Sequence, residues 1–274
     1  MNQKFSVLMS CYKNDNPNHL KIAIESIFNC SFLPDQFVIV IDGPISKAIE
    51  LVLDSCVKRF SVIELKSLKE NHGLGYALNF GLHHCNNNLV ARMDSDDISY
   101  ENRFKLQYEF LSDNKHIDIV GSNIDEFYKD FKVVDNMRIV PENHEDISKR
   151  MKWINGMNHV TVMFRKKAII DSGNYNSFNG FEDYHLWIRM ILNNKKFYNI
   201  QKSLVAVRIG NDMIGRRKGL SYFKTEWRFI RFLKEKNYIS TIEMIVSGGS
   251  KFIVRLSPRF IILFFYKYVL RSNK

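Results

Sequence analysis

Short apolar runs alternate with stretches of helical period along the first third of the chain. Phe5 to Met9 reads as a buried strand ending at Ser10-Cys11-Tyr12. After a polar stretch, Leu20, Ile24, Ile27 and Phe28 recur at three- and four-residue spacing, which predicts one face of a helix. Phe37-Val38-Ile39-Val40-Ile41 is a continuous, mostly β-branched run. Such a run suits a strand covered on both faces, as in parallel sheets, and Asp42-Gly43-Pro44 closes it with a turn signal. Ala48 to Val57 predicts a second helix and Ser61 to Leu65 a third strand. Alternation of this kind implies an α/β fold with a Rossmann-like, mainly parallel sheet, right-handed crossovers and flanking helices.

Asn71-His72-Gly73-Leu74-Gly75-Tyr76-Ala77-Leu78-Asn79 then leads into a helix carrying Leu74, Ala77, Leu78 and Leu82. It is not the dinucleotide fingerprint, because Leu78 stands where the third glycine belongs and the loop follows the third strand. Glycine here suits close approach of backbone to a ligand. Leu89-Val90-Ala91 predicts a strand running into Arg92-Met93-Asp94-Ser95-Asp96-Asp97. Ser99 is a candidate cap for a helix through Arg103, Phe104, Tyr108 and Leu111. Ile117 to Gly121 reads as a strand, Phe131 to Ile139 as a more exposed one, and Val160 to Phe164 as a short apolar run. Gly180-Phe181-Glu182-Asp183-Tyr184 opens a helix with Leu186, Trp187, Met190 and Ile191 on its apolar side. The two acids suit that helix's N-terminal dipole.

The end of the chain differs in kind. Residues 208–219 are polar and basic and include Arg216-Arg217-Lys218, and Tyr222 to Leu233 predicts an aromatic, basic helix. Ser257-Pro258 starts a further helix, as cap and first residue. Its longest uncharged run, Phe260 to Tyr266, falls far short of the ~20 residues that span a bilayer. Arg259, Lys267 and Arg271 fall within about 120° of arc, which leaves a broad apolar face over 257–271. This pattern predicts a helix lying in a membrane surface or docked on a partner.

Composition sharpens the picture. With 45% hydrophobic and 25% charged residues the chain builds a real core. The net charge is +11, and from Ser221 onward eleven Lys/Arg face three Glu, so this end contributes +8. A basic segment that is also apolar fits an anionic membrane surface better than nucleic acid. Cys11, Cys30, Cys56 and Cys85 form no CxxC pair and read as buried thiols of a reducing compartment. The first ten residues lack the long apolar core of a signal peptide.

The chemistry centres on Leu89 to Asp97, where three carboxylates fall within four residues at a strand end. Ligands of open α/β sheets bind outside the carboxyl ends of strands. Carboxylates together with substrate phosphates suit Mg²⁺ or Mn²⁺.

Taken in order, Ser10-Cys11-Tyr12, Val40 to Pro44, Asn71 to Asn79, Arg92 to Asp97 and Phe181-Glu182-Asp183-Tyr184-His185-Leu186-Trp187 resemble the bacterial family 2 glycosyltransferases of GT-A fold. Within that family the pattern is similar to enzymes that build O-antigen and exopolysaccharide repeat units. The resemblance implies a GT-A domain over 1–215 and a C-terminal helical, basic-aromatic extension over 216–274. It implies an inverting hexosyltransferase that uses a UDP-sugar, galactose or glucose first, and a lipid-linked undecaprenyl-diphosphate acceptor. The protein would then sit in the cytoplasm, peripheral at the inner face of the membrane through 257–271, without nucleic acid or an obligate protein partner.

Site roles follow from the same resemblance. Asp183 is the catalytic base. Ser10, Tyr12, Asp42, Asn71, Gly75, Asn79, Asp94, Ser95, Arg216 and Arg217 bind the nucleotide sugar, with Asp42 accepting from uracil and the arginines closing on the diphosphate. Asp96, with Asp94, holds Mn²⁺ or Mg²⁺, while Glu182 and His159 contact the acceptor. Two departures stand out: no proline precedes Asn158-His159, and Lys218 rather than glycine follows Arg217. A sugar-nucleotide nucleotidyltransferase is the alternative enzyme, but residues 10–18 lack its glycine- and lysine-rich triphosphate loop. A basic nucleic-acid-binding protein is the alternative outside enzymes, and it leaves the acidic residues unexplained.

Overall fold

Alternate residues of the first strands serve two separate cores. In β1 (Ser6–Cys11), Leu8 joins one apolar cluster while Val7 and Met9 join the other. In β2 (Gln36–Ile41), Val38 and Val40 face the first cluster and Phe37 and Ile39 the second. A strand covered on both faces has no polar side to show, which is why its sequence is continuously apolar. The computed structural model describes residues 4–178, 180–210 and 218–257.

Around these strands lie α1 (Pro17–Phe28), α2 (Lys47–Arg59), β3 (Ile63–Ser67), α3 (Leu74–His84), β4 (Leu89–Met93), β5 (Ile98–Ser99) and α4 (Arg103–Asp113). Then come β6 (Ile119–Phe127), β7 (Asn136–Arg138), α5 (His144–Arg150), β8 (Met163–Arg165), α6 (Lys166–Asp171) and α7 (Glu182–Leu192). The strand β9 (Phe197–Arg208) and the helices α8 (Gly219–Glu235) and α9 (Thr241–Leu256) complete the described chain. The sheet runs β3-β2-β1-β4-β8-β6-β9-β5, with β7 beside β6. Its first four strands are mutually parallel, and the second half is mixed: β8 runs antiparallel to β4 and β6, while β6 and β9 are parallel. This is the α/β, Rossmann-like GT-A architecture that the sequence implies.

Several local expectations are corrected. Ser99 caps no helix; it pairs with Val205 in β5, and its N–H donates to Ser26 Oγ at 3.0 Å. The helix starts only at Arg103, with Asn102 in the cap position. The third strand lies two residues beyond 61–65, because Ser61 and Val62 form a turn. The run 160–164 is a 3-10 turn, His159–Thr161, followed by β8. Only Asn136–Arg138 of 131–139 is strand.

The helix α8 is part of the main core: Phe229, Ile230 and Leu233 pack with Phe181, Tyr184 and Trp187. Behind it, α9 begins with a capping box of Ser240 and Glu243. Lys152 Nζ donates to Glu243 Oε1 at 2.8 Å and ties α9 to the loop after α5. Among the described residues no helix is long and apolar enough to cross a membrane.

Candidate active site

Three adjacent parallel strands, β2, β1 and β4, end side by side. Cys11 pairs with Ile41 and Met9 with Met93, so Asp42, Ser10 to Tyr12 and Asp94 emerge along one edge of the sheet. Asp42 is buried, and its carboxylate organises the loop before α3. It accepts from Asn71 Nδ2 at 2.9 Å, from the His72 N–H at 2.8 Å and from the Gly73 N–H at 2.9 Å. A carboxylate offers about four lone-pair directions, so one is left for a ligand donor. Gly73 adopts φ +86°, a conformation that favours glycine. Ser10 is partly exposed and Tyr12 more so, at the mouth of this edge.

The acidic turn divides its labour. Arg92, almost wholly buried, grips both carboxylate oxygens of Asp94 with its two terminal nitrogens. Asp97 is turned into the protein, where its Oδ1 accepts the Arg208 N–H at 2.9 Å and fixes the turn to β9. Burial pushes the Asp97 carboxyl well above the usual range, with the charges of Asp96 and Asp94 adding to it. Asp96 is pushed up to about 6 by burial, then by Asp94 and Asp15. Ser95, itself buried, bonds to Asp15, whose carboxylate accepts the Tyr12 N–H at 3.0 Å.

Among the described residues no three His, Cys, Asp or Glu side chains converge into a closed metal cage. One carboxylate crowded by neighbouring negative charge is still a fitting partial shell. A hard divalent cation that takes its other ligands from substrate phosphates and water needs no more from the protein. The all-oxygen donors suit Mg²⁺ or Mn²⁺ and not zinc.

Far along the chain, α7 places Glu182 and Asp183 in its first turn. Asp183 Oδ2 accepts from Asn155 Nδ2 at 2.7 Å. The Asn155 carbonyl accepts from Arg138 at 2.7 Å, and its Oδ1 from the Met157 N–H at 3.1 Å. Burial raises the Asp183 carboxyl, against the Tyr184 N–H, Arg92, Asn155 and Arg138, which all favour the anion. Burial also raises Glu182, whose Oε1 accepts the Gly180 N–H at 3.1 Å. His159 Nε2 bonds to Tyr175 Oη at 3.0 Å, and its ring sits against Tyr175 and Trp187. Burial, then the charge of Arg92, hold His159 well below the usual imidazole range, so it is neutral.

One cation therefore bears on both halves. The Arg92 charge reaches Asp96 and Asp97 on one side and Asp183, Glu182 and His159 on the other. Two candidates lie elsewhere. Asn79 donates to the Tyr175 carbonyl at 2.8 Å and accepts from Asn174 at 3.0 Å. A Cβ on Gly75 would stand 2.7 Å from the Asn176 carbonyl oxygen and 2.9 Å from Glu182 Cγ. Both positions join α3 to the segment that leads into α7. Arg216, Arg217 and the 257–271 helix beyond Ser257 lie outside the described residues. Asp15, Asn155 and the bridging place of Arg92 went unread in the sequence. Arg92 belongs to the Arg92-to-Asp97 motif, but nothing in the spacing shows Asp15 folding back or Asn155 meeting a helix start 28 residues on.

The loops at the parallel strand ends, the acidic turn and the carboxylate of α7 are the candidate site of a glycosyl-transfer enzyme. The model of glycosyl transferase family 2 matches residues 6–223, and the chain belongs to that family. It is 36% identical over 98% of its length, and 97% of the relative's, to the UDP-Gal:alpha-D-GlcNAc-diphosphoundecaprenol beta-1,3-galactosyltransferase of Escherichia coli. It is 32% identical to the amylovoran biosynthesis glycosyltransferase AmsE of Erwinia amylovora, over 96% of this chain and 98% of that one. Among solved structures it resembles S. aureus TarS 1-349 in complex with UDP-GlcNAc, with a TM-score of 0.69, 14% identity and coverage of 95% of this chain and 75% of that one.

Proposed function

We propose that this glycosyltransferase moves a hexose, galactose or glucose, from UDP to a hydroxyl of an undecaprenyl-diphosphate-linked saccharide, with inversion, in assembly of a surface polysaccharide. The observation that carries this reading is the sheet edge at which Asp42, Ser10 and Asp94 emerge from adjacent parallel strands, together with the Asp183 carboxylate that Asn155 holds and that feels the charge of the same Arg92 that grips Asp94. The lipid-linked acceptor and the choice of UDP-hexose are supported by the names of the Escherichia coli and Erwinia amylovora relatives. The place at the cytoplasmic face of the membrane rests on that acceptor and on the basic, apolar end of the chain.

Asp42, Asn71, Ser10 and Tyr12 would hold the uridine, with the free lone pair of Asp42 turned to the uracil N–H. Asp96, backed by Asp94, would hold Mn²⁺ or Mg²⁺. That ion, when bound, offsets the negative charge of the departing diphosphate. Asp183 accepts the proton of the acceptor hydroxyl as its oxygen bonds to the anomeric carbon and the bond to UDP breaks. One carboxylate suffices, because no covalent sugar–enzyme intermediate is needed. Glu182 and His159 line the acceptor side, and the neutral His159 holds Tyr175 in place. Domain limits at 1–215 and 216–274 remain part of this proposal, with α8 serving as the join.

The test is transfer by the purified full-length protein from UDP-Gal and UDP-Glc to a lipid-diphosphate saccharide with Mn²⁺. The new linkage should carry the anomeric configuration opposite to that of the donor, and Asp183→Asn should lower turnover about 100-fold or more. Retention, or full activity of Asp183→Asn, would remove the mechanism.

A further inference from the structure

The last described helix is inside out. On α9, the charged Lys251 and Arg255 point inward to the buried Glu226 of α8. Arg255 donates to both of its carboxylate oxygens, at 2.8 and 3.0 Å, and Lys251 Nζ stands 3.8 Å away. Gly248 lets the helix lie directly against the Trp227 ring, where any side chain would collide. The outward side consists of Ile242, Ile245, Val246, Phe252, Ile253 and Leu256, all exposed. Ile242, Ile245 and Ile253 keep 75%, 62% and 67% of their surface open. At ~100° and ~1.5 Å per residue, the six occupy about 120° of arc and a row about 21 Å long. A surface helix ordinarily buries its apolar stripe and shows its charges. A contiguous apolar row of this kind marks a docking face.

Charge selects the occupant. Two of the three glutamates after Ser221 are neutralised within the fold: Glu226 by Arg255 and Lys251, Glu243 by Lys152. Lys224, Arg228 and Lys236 stay exposed, and the sequence beyond Ser257 adds Arg259, Lys267, Arg271 and Lys274 with no acid. A second copy would bring the same positive charge against this one, and the chain's own last residues would do so too. An anionic lipid surface meets both features, taking up the apolar row and neutralising the cations around it. We propose that the Ile242–Leu256 face of α9 docks on an anionic phospholipid membrane. The proposal deepens the lipid-linked-acceptor reading, on which its meaning for function rests, because a docked α9 holds the enzyme at the surface where a polyprenyl acceptor is embedded.

The experiment is flotation of the full-length protein with vesicles of phosphatidylcholine alone and of phosphatidylcholine with about one third phosphatidylglycerol. Wild type should float with the anionic vesicles and lose them at high salt. The I245E/I253E variant should bind at least tenfold more weakly, yet keep the thermal shift that UDP gives the wild type, which shows that the fold and donor site stand. Because the four native cysteines are buried, a fluorophore on Ile245→Cys reports this face alone. It should be quenched by lipid-borne quenchers in anionic vesicles. Wild-type indifference to anionic lipid, or unchanged flotation of I245E/I253E, would overturn the proposal. So would a label that stays unquenched on floated protein, or a wild-type dimer that the variant splits without change in vesicle binding. If the wild type docks but transfers hexose only to soluble acceptors, the acceptor reading fails and the docking face stands.

Discussion

The Asn155 side-chain amide donates to the Asp183 carboxylate at 2.7 Å, and Arg138 holds the Asn155 carbonyl from behind. The proposed base is thus aimed by a neutral donor rather than paired with a cation. Burial raises its carboxyl, and the Asn155 bond pulls it down. A base must be ionised, so kcat/KM should rise with pH through the elevated pKa of Asp183 and fall away on the acid side. Asn155→Ala removes one hydrogen bond that favours the anion. It should move this acid limb to higher pH and lower kcat about 10- to 100-fold, the worth of a hydrogen bond to a charged group. Asp183→Asn should cost about 10²- to 10⁴-fold. The pH–rate profiles of the three proteins check this, and an Asn155→Ala limb identical to wild type would separate Asn155 from the base.

Arg92 is almost wholly buried, and its fork is matched to both oxygens of Asp94, which keeps about a third of its surface in water. Lysine cannot reproduce a bidentate fork. Arg92→Met leaves Asp94 beside Asp96 without its cation. Breaking a buried pair costs ~3–5 kcal/mol, and the partial exposure of Asp94 places this case at or below the lower end. The expected outcome for Arg92→Lys is a smaller loss of Tm and a KM for the donor raised more than the KM for the acceptor. A lower Tm with the KM of both substrates unchanged would show that Arg92 acts only through folding. Thermal melts and steady-state kinetics with each substrate varied in turn decide between them.

Elements whose apolar period is unbroken were legible. The strands at Phe5–Met9 and Phe37–Ile41 and the helices around Ile24, Leu78 and Trp187 stand where their sequences put them. The longest strand, Phe197–Arg208, went unread because its middle, Gln201-Lys202-Ser203, is polar and carries the register shift against Ser122 and Asn123. The strand Ile119–Phe127 was cut short for a similar reason. Its Asn123 and Asp125 are buried yet satisfied, Asn123 by the Val140 N–H and Asp125 by Tyr100 and Ser203. Spacing located the acidic turn but not the division within it. Asp96 and Asp97 are neighbours in sequence, and only the pairing of Asp97 with Arg208 in a distant strand tells them apart. Tertiary partners of this kind leave no local period to read.

At Gly75 the helix α3 lies so close to the 176–182 segment that an added methyl would meet a backbone carbonyl, which cannot rotate away. Gly75→Ala should therefore displace the approach to α7 and with it Glu182 and Asp183. Overpacking of this kind costs about 1–3 kcal/mol, and turnover should fall further than stability because the base is mispositioned. Leu78→Ala, in the core on the same helix, gives the comparison: lost stability by cavity formation, ~2–5 kcal/mol, with near-normal kcat in the protein that stays folded. If Gly75→Ala keeps wild-type kcat, the α3–α7 contact does not set the position of Asp183.

Asp96 gives stability and activity opposite pH dependence. Its folded carboxyl stands at about 6, raised by burial and by Asp94 and Asp15, against ~3.9 in an unfolded chain. A raised carboxyl binds its proton more tightly when folded, so its stabilising contribution is full below the unfolded value and is lost as pH rises through about 6. In the presence of chelator, wild type should thus melt higher at pH 5 than at pH 7.5, although Asp183 is then less ionised and turnover lower. Asp96→Asn removes its share of that slope, while the raised carboxyls of Asp97, Asp183 and Glu182 keep theirs, and should raise Tm at pH 7.5 by a few degrees, about 1–2 kcal/mol for a chain of this size. Adding Mn²⁺ with UDP should raise the wild-type Tm at pH 7.5 and leave Asp96→Asn nearly unmoved. An Asp96→Asn melt that follows the wild-type pH slope and still responds to Mn²⁺ with UDP would place the strained carboxylate, and the ion it would hold, elsewhere in the turn.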